Sequence, residues 1–332
     1  MPSFPVIRIA VIGAGNMGKN HLRNYSLLSN VELVGLADIN PDAKSLAEDY
    51  DAKFFIDYKK MLDEVEPDAV SIVVPTPFHY EVAKNVIERG IHCMLEKPIT
   101  SNIEEAKALT KLAKDKNVVF TVGHIEHYNP LVIAIKKLLK ENAVGEVTSI
   151  VCKRVGGFPQ IEPKTDVIID LAVHDIGIIN YLLESKPKKI MSHGSRTFHS
   201  AKLDSAEILL DYGKASGFVQ SNWLTPVKIR TIAITGSQGY IEGNYVTQEL
   251  SIYRHTLTKK FDEGGFLGFV TEMKSQERET VKIDFEEPLA KELTTFLEHV
   301  NGNTHNPIVT SREATEALES ALEAVSLYNE EI

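Results

Sequence analysis

Two short stretches carry residue types that can move a proton and steady a negative oxygen. Glu96-Lys97-Pro98 puts an ammonium just after the apolar-rich run Ile91–Leu95, where a strand would release it into a cleft. Asp170 and His174 lie four residues apart, hence on one helical face, in a segment from Asp166 whose other residues are nearly all apolar. Polar groups in such a helix need a reason. Histidine titrates near neutrality and can take a hydroxyl proton while the adjoining carbon releases a hydride; a neighbouring carboxylate can orient the ring and stabilise its charged form. Other readings stay open: a surface lysine closing a strand, a carboxylate favoured by the helix dipole in the first turns, and a core histidine with its hydrogen bonds satisfied.

A hydride needs an acceptor. Gly13-Ala14-Gly15-Asn16-Met17-Gly18 follows an apolar strand and opens a helix, the context in which two glycines let the backbone approach a pyrophosphate and the third lets helix and strand pack. Asp38 follows at the end of the second strand, where a carboxylate accepts hydrogen bonds from ribose hydroxyls and repels a 2′-phosphate; NAD is expected over NADP. A P-loop running through Lys19 is the rival, but Asn20 lacks the hydroxyl that such a loop gives to magnesium. Purely structural glycines are a second rival. The loops Val74-Pro75-Thr76-Pro77-Phe78-His79 and Glu96-Lys97-Pro98 belong at the carboxyl edge of the same sheet and should face the nicotinamide, with a cis peptide before Pro98 aiming Lys97 into the cleft.

The elements needed to position these groups are legible. Strands are expected at Val6–Ile12, Val31–Ala37, Lys53–Phe55, Ala69–Val74, Ile91–Leu95 and Val118–Val122, with helix caps at Asn40-Pro41, Asp57 and Ser101-Asn102-Ile103-Glu104 and a helix stop at Gly90. That is an α/β domain, a doubly wound parallel sheet of the Rossmann type, over residues 1–122. Residues 123–332 read as α+β: helices at Pro130–Lys140 and near Asp166–Leu183, then a large open, mostly antiparallel sheet between Lys188 and Phe285 with turns at Asp211–Lys214 and Gly236–Gly239. A final helix, Thr310–Glu331, starts with a capping box and should pack back on the body. The polar, glycine-containing stretch Lys259–Glu279 is expected as a loop.

The chain has 332 residues, too many for one ordinary core, and its net charge of −10 disfavours nucleic acid as a partner. Cys93 and Cys152 stand in unrelated contexts, so neither a disulfide framework nor a metal cage is expected, and a reducing cytoplasm fits. The apolar start is broken at Arg8, too soon for a signal peptide, and no apolar run approaches a membrane span, so no membrane association is expected. An antiparallel sheet with one bare face implies self-association.

The glycine turn, Asp38, Pro75-Thr76-Pro77 with His79, Glu96-Lys97-Pro98 and the later Asp-x-x-x-His resemble the Gfo/Idh/MocA oxidoreductase family in element order over nearly the whole chain. The resemblance implies a sugar or polyol dehydrogenase that is a homodimer or homotetramer, with Lys97, Asp170 and His174 catalytic. Gly13, Gly15, Asn16, Met17, Gly18, Asp38, Pro75, Thr76, Pro77, His79, Glu96 and Lys97 would bind the cofactor. The segments Val122–Pro130, Lys153–Pro159 and Asp166–Ile176 are similar to the subgroup that oxidises the 3-hydroxyl of UDP-N-acetylglucosamine, which carries Arg-Phe where this chain has His127-Tyr128. Arg154, with Lys153 or Lys164, could answer a nucleotide-sugar pyrophosphate or lie in an exposed basic loop. His124 either touches the sugar or caps the hinge. Inositol and free hexoses are the other substrates of the same fold, and a non-catalytic NAD-binding sensor or scaffold is the alternative of another class.

Overall fold

The computed structural model describes residues 6–159, 163, 165–198, 201–254 and 278–330, the side chains of 329 and 330 excepted. It contains two compact units, Met1–Tyr128 with Glu286–Glu319, and Asn129–Phe285 with Ser320–Ile332.

In the first unit, apolar strands alternate with amphipathic helices: β1 (Ile7–Ile12), α1 (Asn16–Ser26), β2 (Val31–Ala37), α2 (Ala43–Glu48), β3 (Lys53–Phe55), α3 (Tyr58–Val65), β4 (Ala69–Ile72), α4 (His79–Glu88), β5 (His92–Glu96), α5 (Ile103–Lys116) and β6 (Phe120–Gly123). The six strands form one parallel sheet in the order β3-β2-β1-β4-β5-β6. Strand order reverses between β1 and β4, which makes their carboxyl edge the place where such sheets bind ligands. Asp57 caps α3 by accepting the Lys59 N–H at 2.8 Å, worth about 1 kcal/mol. Two expected caps move. Asn102, not Ser101, caps α5 through the Glu105 N–H at 2.9 Å. Asn40 makes an Asx turn to the Asp42 N–H at 3.0 Å, so α2 starts later than Pro41 suggests.

The first unit is completed from far along the chain. After the turn Ile125–Tyr128, the segment that returns is α8 (Pro288–Val300) and the start of α9 (Ser311–Glu330), where Thr310 and Glu313 form the capping box. Leu289, Leu293, Phe296 and Leu297 of α8 join Ile9, Leu22, Tyr25 and Met94 in one buried cluster. The Tyr128 hydroxyl accepts the Val309 N–H at 3.1 Å, and Thr121 Oγ1 donates to the Val309 carbonyl at 2.7 Å. The division expected at residue 122 thus falls after Tyr128, and residues 286–319 belong with the first unit because α8 supplies part of its core.

In the second unit, α6 (Pro130–Lys140), β7 (Val147–Val155), a π-helical turn (Ile168–Ala172) and α7 (Val173–Leu183) precede β8 (Lys189–Ser195), β9 (Ser205–Asp211), β10 (Ser216–Asn222), β11 (Ile229–Gly236), β12 (Gly239–Asn244), β13 (Glu249–Arg254) and β14 (Arg278–Val281). Their order is β14-β13-β12-β11-β7-β10-β9-β8, antiparallel except for β7 with β10. Residues 259–277 of the expected loop lie outside the described residues. Alternation sends Ile150, Cys152, Ile208, Val219 and Ile232 to the buried face. The other face carries a register-matched apolar row, Met191, Leu209, Phe218, Val151 and Ala233, across five strands.

Removing the returning segment should unfold the first unit. Each of the four α8 side chains is worth about 2–5 kcal/mol as a buried contact. A fragment of residues 1–128 alone is expected to bind a hydrophobic dye and to melt without a cooperative transition. Cooperative melting at the temperature of the intact chain would contradict this.

Candidate active site

The glycine turn has the shape a pyrophosphate needs. Gly13 has φ +109°, and a Cβ there would stand 2.5 Å from the Val73 carbonyl oxygen; a Cβ on Gly18 would overlap the Gly13 carbonyl. A Cβ on Gly15 would meet nothing within 4 Å. The first and third glycines are therefore required by backbone packing, and the middle one leaves space at the start of α1, which begins at Asn16 and Met17 with backbone N–H groups available to an anion. A groove of about 510 Å³ continues from Ala14 and Gly15 along Lys19, Asp38 and Ser45. Asp38 is placed by the Ala14 N–H at 2.6 Å and the Asn40 N–H at 2.8 Å. These residues fit the adenosine and pyrophosphate of a dinucleotide.

Further along the edge, Pro75, Thr76 and Pro77 are exposed or half-buried in a 3-10 turn after β4. His79 is 1% exposed, and its two ring nitrogens face the Val74 and Pro98 carbonyls at 2.8 Å each. Burial, outweighing those carbonyls, lowers its pKa, and a neutral ring donates to only one of them. His79 thus acts as a brace between the loops after β4 and β5. The Lys97-Pro98 peptide is cis.

Glu96 ends β5 and Lys97 follows it, both half-buried. Glu96 Oε1 lies 3.1 Å from His21 Nε2, and Glu96 Oε2 accepts the Lys97 N–H at 3.2 Å. Burial pushes the Glu96 carboxyl up, but the His21 hydrogen bond, the charge of His21 and that of Lys97 together hold it below the usual range. His124 is buried in the same unit; burial first, then the Lys97 charge, push it down to about 4 against the pull of Glu96. It is a neutral imidazole at neutral pH.

In the second unit, Asp170 lies in the π-helical turn and His174 in the first turn of α7. The expected helix is therefore not α throughout. The wider turn keeps the two on adjacent positions of one side, where Asp170, Leu171 and His174 are half-buried while Ile168, Ala172, Val173 and Ile176 are buried. Single π turns inside helices often mark functional sites.

Arg154 is neither in an exposed loop nor turned to the face that carries Lys153. It is 5% exposed, and its Nε and Nη2 donate to Asp175 Oδ2 and Oδ1 at 2.9 and 2.8 Å, with its guanidinium 5.2 Å from the centroid of the Tyr245 ring. Adjacent strand residues point to opposite faces, so Lys153 shares the side of Val151. Lys164 lies outside the described residues. Asp175, His21, Ser71 and Glu292 were not signalled as functional by any motif; each is a polar residue on an apolar helix face or strand, which is the signal that was there.

Residues 7–124 match the family model described as the oxidoreductase family with an NAD-binding Rossmann fold, and residues 132–242 match the GFO/IDH/MocA C-terminal domain. The chain belongs to the Gfo/Idh/MocA oxidoreductase family. Family members similar to it include the UDP-N-acetylglucosamine 3-dehydrogenase of Acidithiobacillus ferrooxidans, 28% identical over 91% of this chain and 90% of that one. The scyllo-inositol 2-dehydrogenase (NAD(+)) of Bacillus subtilis is 27% identical over 97% of this chain and 94% of its own length. The solved structure of the Acidithiobacillus enzyme superposes with a TM-score of 0.83 at 26% identity, covering 97% of each chain.

The Arg154 geometry makes a stability prediction. Arg154→Met leaves Asp175 buried without its bidentate partner and should cost about 3–5 kcal/mol in denaturant melts, whereas the double variant Arg154→Met with Asp175→Leu should recover most of it. A near-neutral single variant would contradict the structural role.

Proposed function

We propose that the protein is an NAD-dependent sugar dehydrogenase that oxidises the 3-hydroxyl of UDP-N-acetylglucosamine. The observation that carries the reading is Asp170 with His174, half-buried at a π-to-α junction and followed by the buried run from Asp175 to Ile179, in a chain whose other unit presents a dinucleotide-shaped turn. The similarity to the Acidithiobacillus enzyme supports the choice of sugar; the inositol dehydrogenase supports a cyclic polyol as the second reading. NAD, when bound, accepts a hydride at nicotinamide C4. His174 takes the hydroxyl proton on an imidazole nitrogen, Asp170 orients that ring, and Lys97 polarises the reacting oxygen. Asp38 would accept the ribose hydroxyls and repel a 2′-phosphate, and Asp42 and Asp49 along the same groove add to that repulsion, so NAD is preferred. His124, beside Lys97, contributes as a neutral donor or acceptor to the substrate. A sensor or scaffold would not need Lys97, Asp170 and His174 together.

We also infer a homodimer or homotetramer formed through the open sheet. Met191, Phe218 and Val151 are 48%, 37% and 41% exposed in the apolar row, and Glu207, Gln220, Lys153 and Thr231 form the adjoining polar row, the pattern of an interface core with its rim. No helix among the described residues is long and apolar enough to cross a membrane. Cys93 and Cys152 are buried thiols, which suits a cytoplasmic site.

Reduced nicotinamide absorbance, followed with UDP-N-acetylglucosamine, inositols and free hexoses, should rise most with the nucleotide sugar and with NAD over NADP. Lys97→Ala and His174→Ala should each lose about a hundredfold or more in kcat. Variants that turn over like the parent would contradict the mechanism, and preference for an inositol would move the substrate to the second reading. In light scattering the parent should exceed 36.9 kDa and Phe218→Asp should fall to it; a parent at the monomer mass would contradict the interface.

A further inference from the structure

The buried polar groups around Glu96 extend beyond what the proposed reaction uses. His21 on α1 stands 3.1 Å from Ser71 Oγ through Nδ1 as well as 3.1 Å from Glu96 through Nε2, and the Tyr25 hydroxyl lies 2.7 Å from the same Ser71 Oγ. Next to this chain is Glu292. It occupies the inward side of α8, with Leu289 and Phe296 buried one turn before and after it, and is itself 1% exposed. Neither of its carboxyl oxygens has a hydrogen-bond partner among the described residues. α8 packs against α1 and the Ile125–Tyr128 turn, and Glu292 is close enough to Glu96, Tyr25 and Tyr128 for its charge to act on them.

An ionised carboxylate there would be uncompensated, and it would face a second one. Glu96 has the partners that Glu292 lacks: His21 Nε2 at one oxygen, the Lys97 N–H at the other, and the charge of Lys97 nearby. Two neighbouring carboxyls in a buried site do not both ionise; the one with donors takes the charge and the other keeps a proton. Burial and then the Glu96 charge raise Glu292 well above the ordinary carboxyl range, while Glu96 is lowered for the reasons given above.

We propose that Glu292 is a positioning residue that holds a proton at working pH, so that Glu96 alone carries the negative charge that fixes Lys97. This rests on the reading of Lys97 as catalytic. The groups facing Glu292 are Tyr25 from α1, Tyr128 from the turn and Glu96 from β5; burial raises both tyrosines, which keeps them neutral. The remaining titratable groups of these elements are engaged elsewhere: Lys19 along the groove of Asp38, Arg23 with Glu287, Lys291 with Glu286, His92 with the Val119 N–H, His127 against the His124 ring, Glu298 with the Asn306 amide, and His299 with the Asn306 carbonyl. Cys93 is buried in β5, and Glu126 is half-buried in the turn.

Because the folded chain keeps a proton that the unfolded chain releases at the ordinary carboxyl pKa, stability falls as pH rises toward the Glu292 titration. Glu292→Gln mimics the protonated acid and has no proton to lose. Melting of the full chain between about pH 4 and about pH 9 should therefore converge for parent and Glu292→Gln at the acid end, where the unfolded carboxyl is protonated too, and separate by about 2 °C or more at the alkaline end, the variant being the more stable. Parallel profiles would overturn the proposal. If Glu292→Gln does not fold, Glu96→Gln removes the repelling charge and should make the alkaline slope shallower; an unchanged slope would overturn it equally. In turnover, the alkaline fall of kcat should move to higher pH in Glu292→Gln with KM for NAD unchanged, and the kcat lost in Glu292→Ala should return in Glu292→Gln. Coincident alkaline limbs would remove the positioning role. A parent inactive on every sugar would remove it together with the dehydrogenase reading, while the melting curves still locate the proton.

Discussion

A carboxylate at the end of a buried strand needs hydrogen-bond donors, and Glu96 meets one partner in His21, 75 residues earlier. That contact joins the glycine turn to the lysine loop. α1 starts where the turn ends, so the helix whose N-terminus would face a pyrophosphate also carries the imidazole beside Glu96. Ser71 on β4 meets the other nitrogen of the same ring. His79 performs a second stitch, from the Val74 carbonyl to the Pro98 carbonyl. The carboxyl ends of β1, β4 and β5 are in this way tied by two histidines, and the parallel order of the sheet is what puts them within reach.

The second unit solves a different problem. A wide sheet has two faces, and among the described residues the register-matched apolar row lies on the face opposite the buried one, the pattern on which the proposed self-association rests. Strand alternation also decides which residues can serve chemistry. Arg154 and Lys153 are neighbours in sequence, yet the first is committed to Asp175 inside and the second stands with the open face.

Much of this was legible in the sequence because it is written locally. The glycine turn, the six strands of the parallel sheet, the Asp57 cap and the Thr310–Glu313 capping box are each set within a few residues, and the structure keeps them. What could not be read depends on partners far away. α8 returns to the first core because its apolar stripe fits Leu22, Tyr25 and Met94, which no local pattern announces. Glu292 looks like a solvated helix residue until that docking is known. The π turn at Asp170 is a backbone adjustment with no sequence signature in its apolar surroundings, and Arg154 reads as a phosphate ligand until the buried Asp175 is found beside it.

In the proposed reaction a carbon-bound hydrogen of the sugar becomes the hydride of reduced NAD. UDP-N-acetylglucosamine carrying deuterium at C3, incubated with the enzyme and NAD, tests it directly by mass spectrometry of the nicotinamide product. The label is expected on the reduced cofactor, with the sugar left as a ketone. Reduced cofactor without label, or label retained on the sugar, would contradict it.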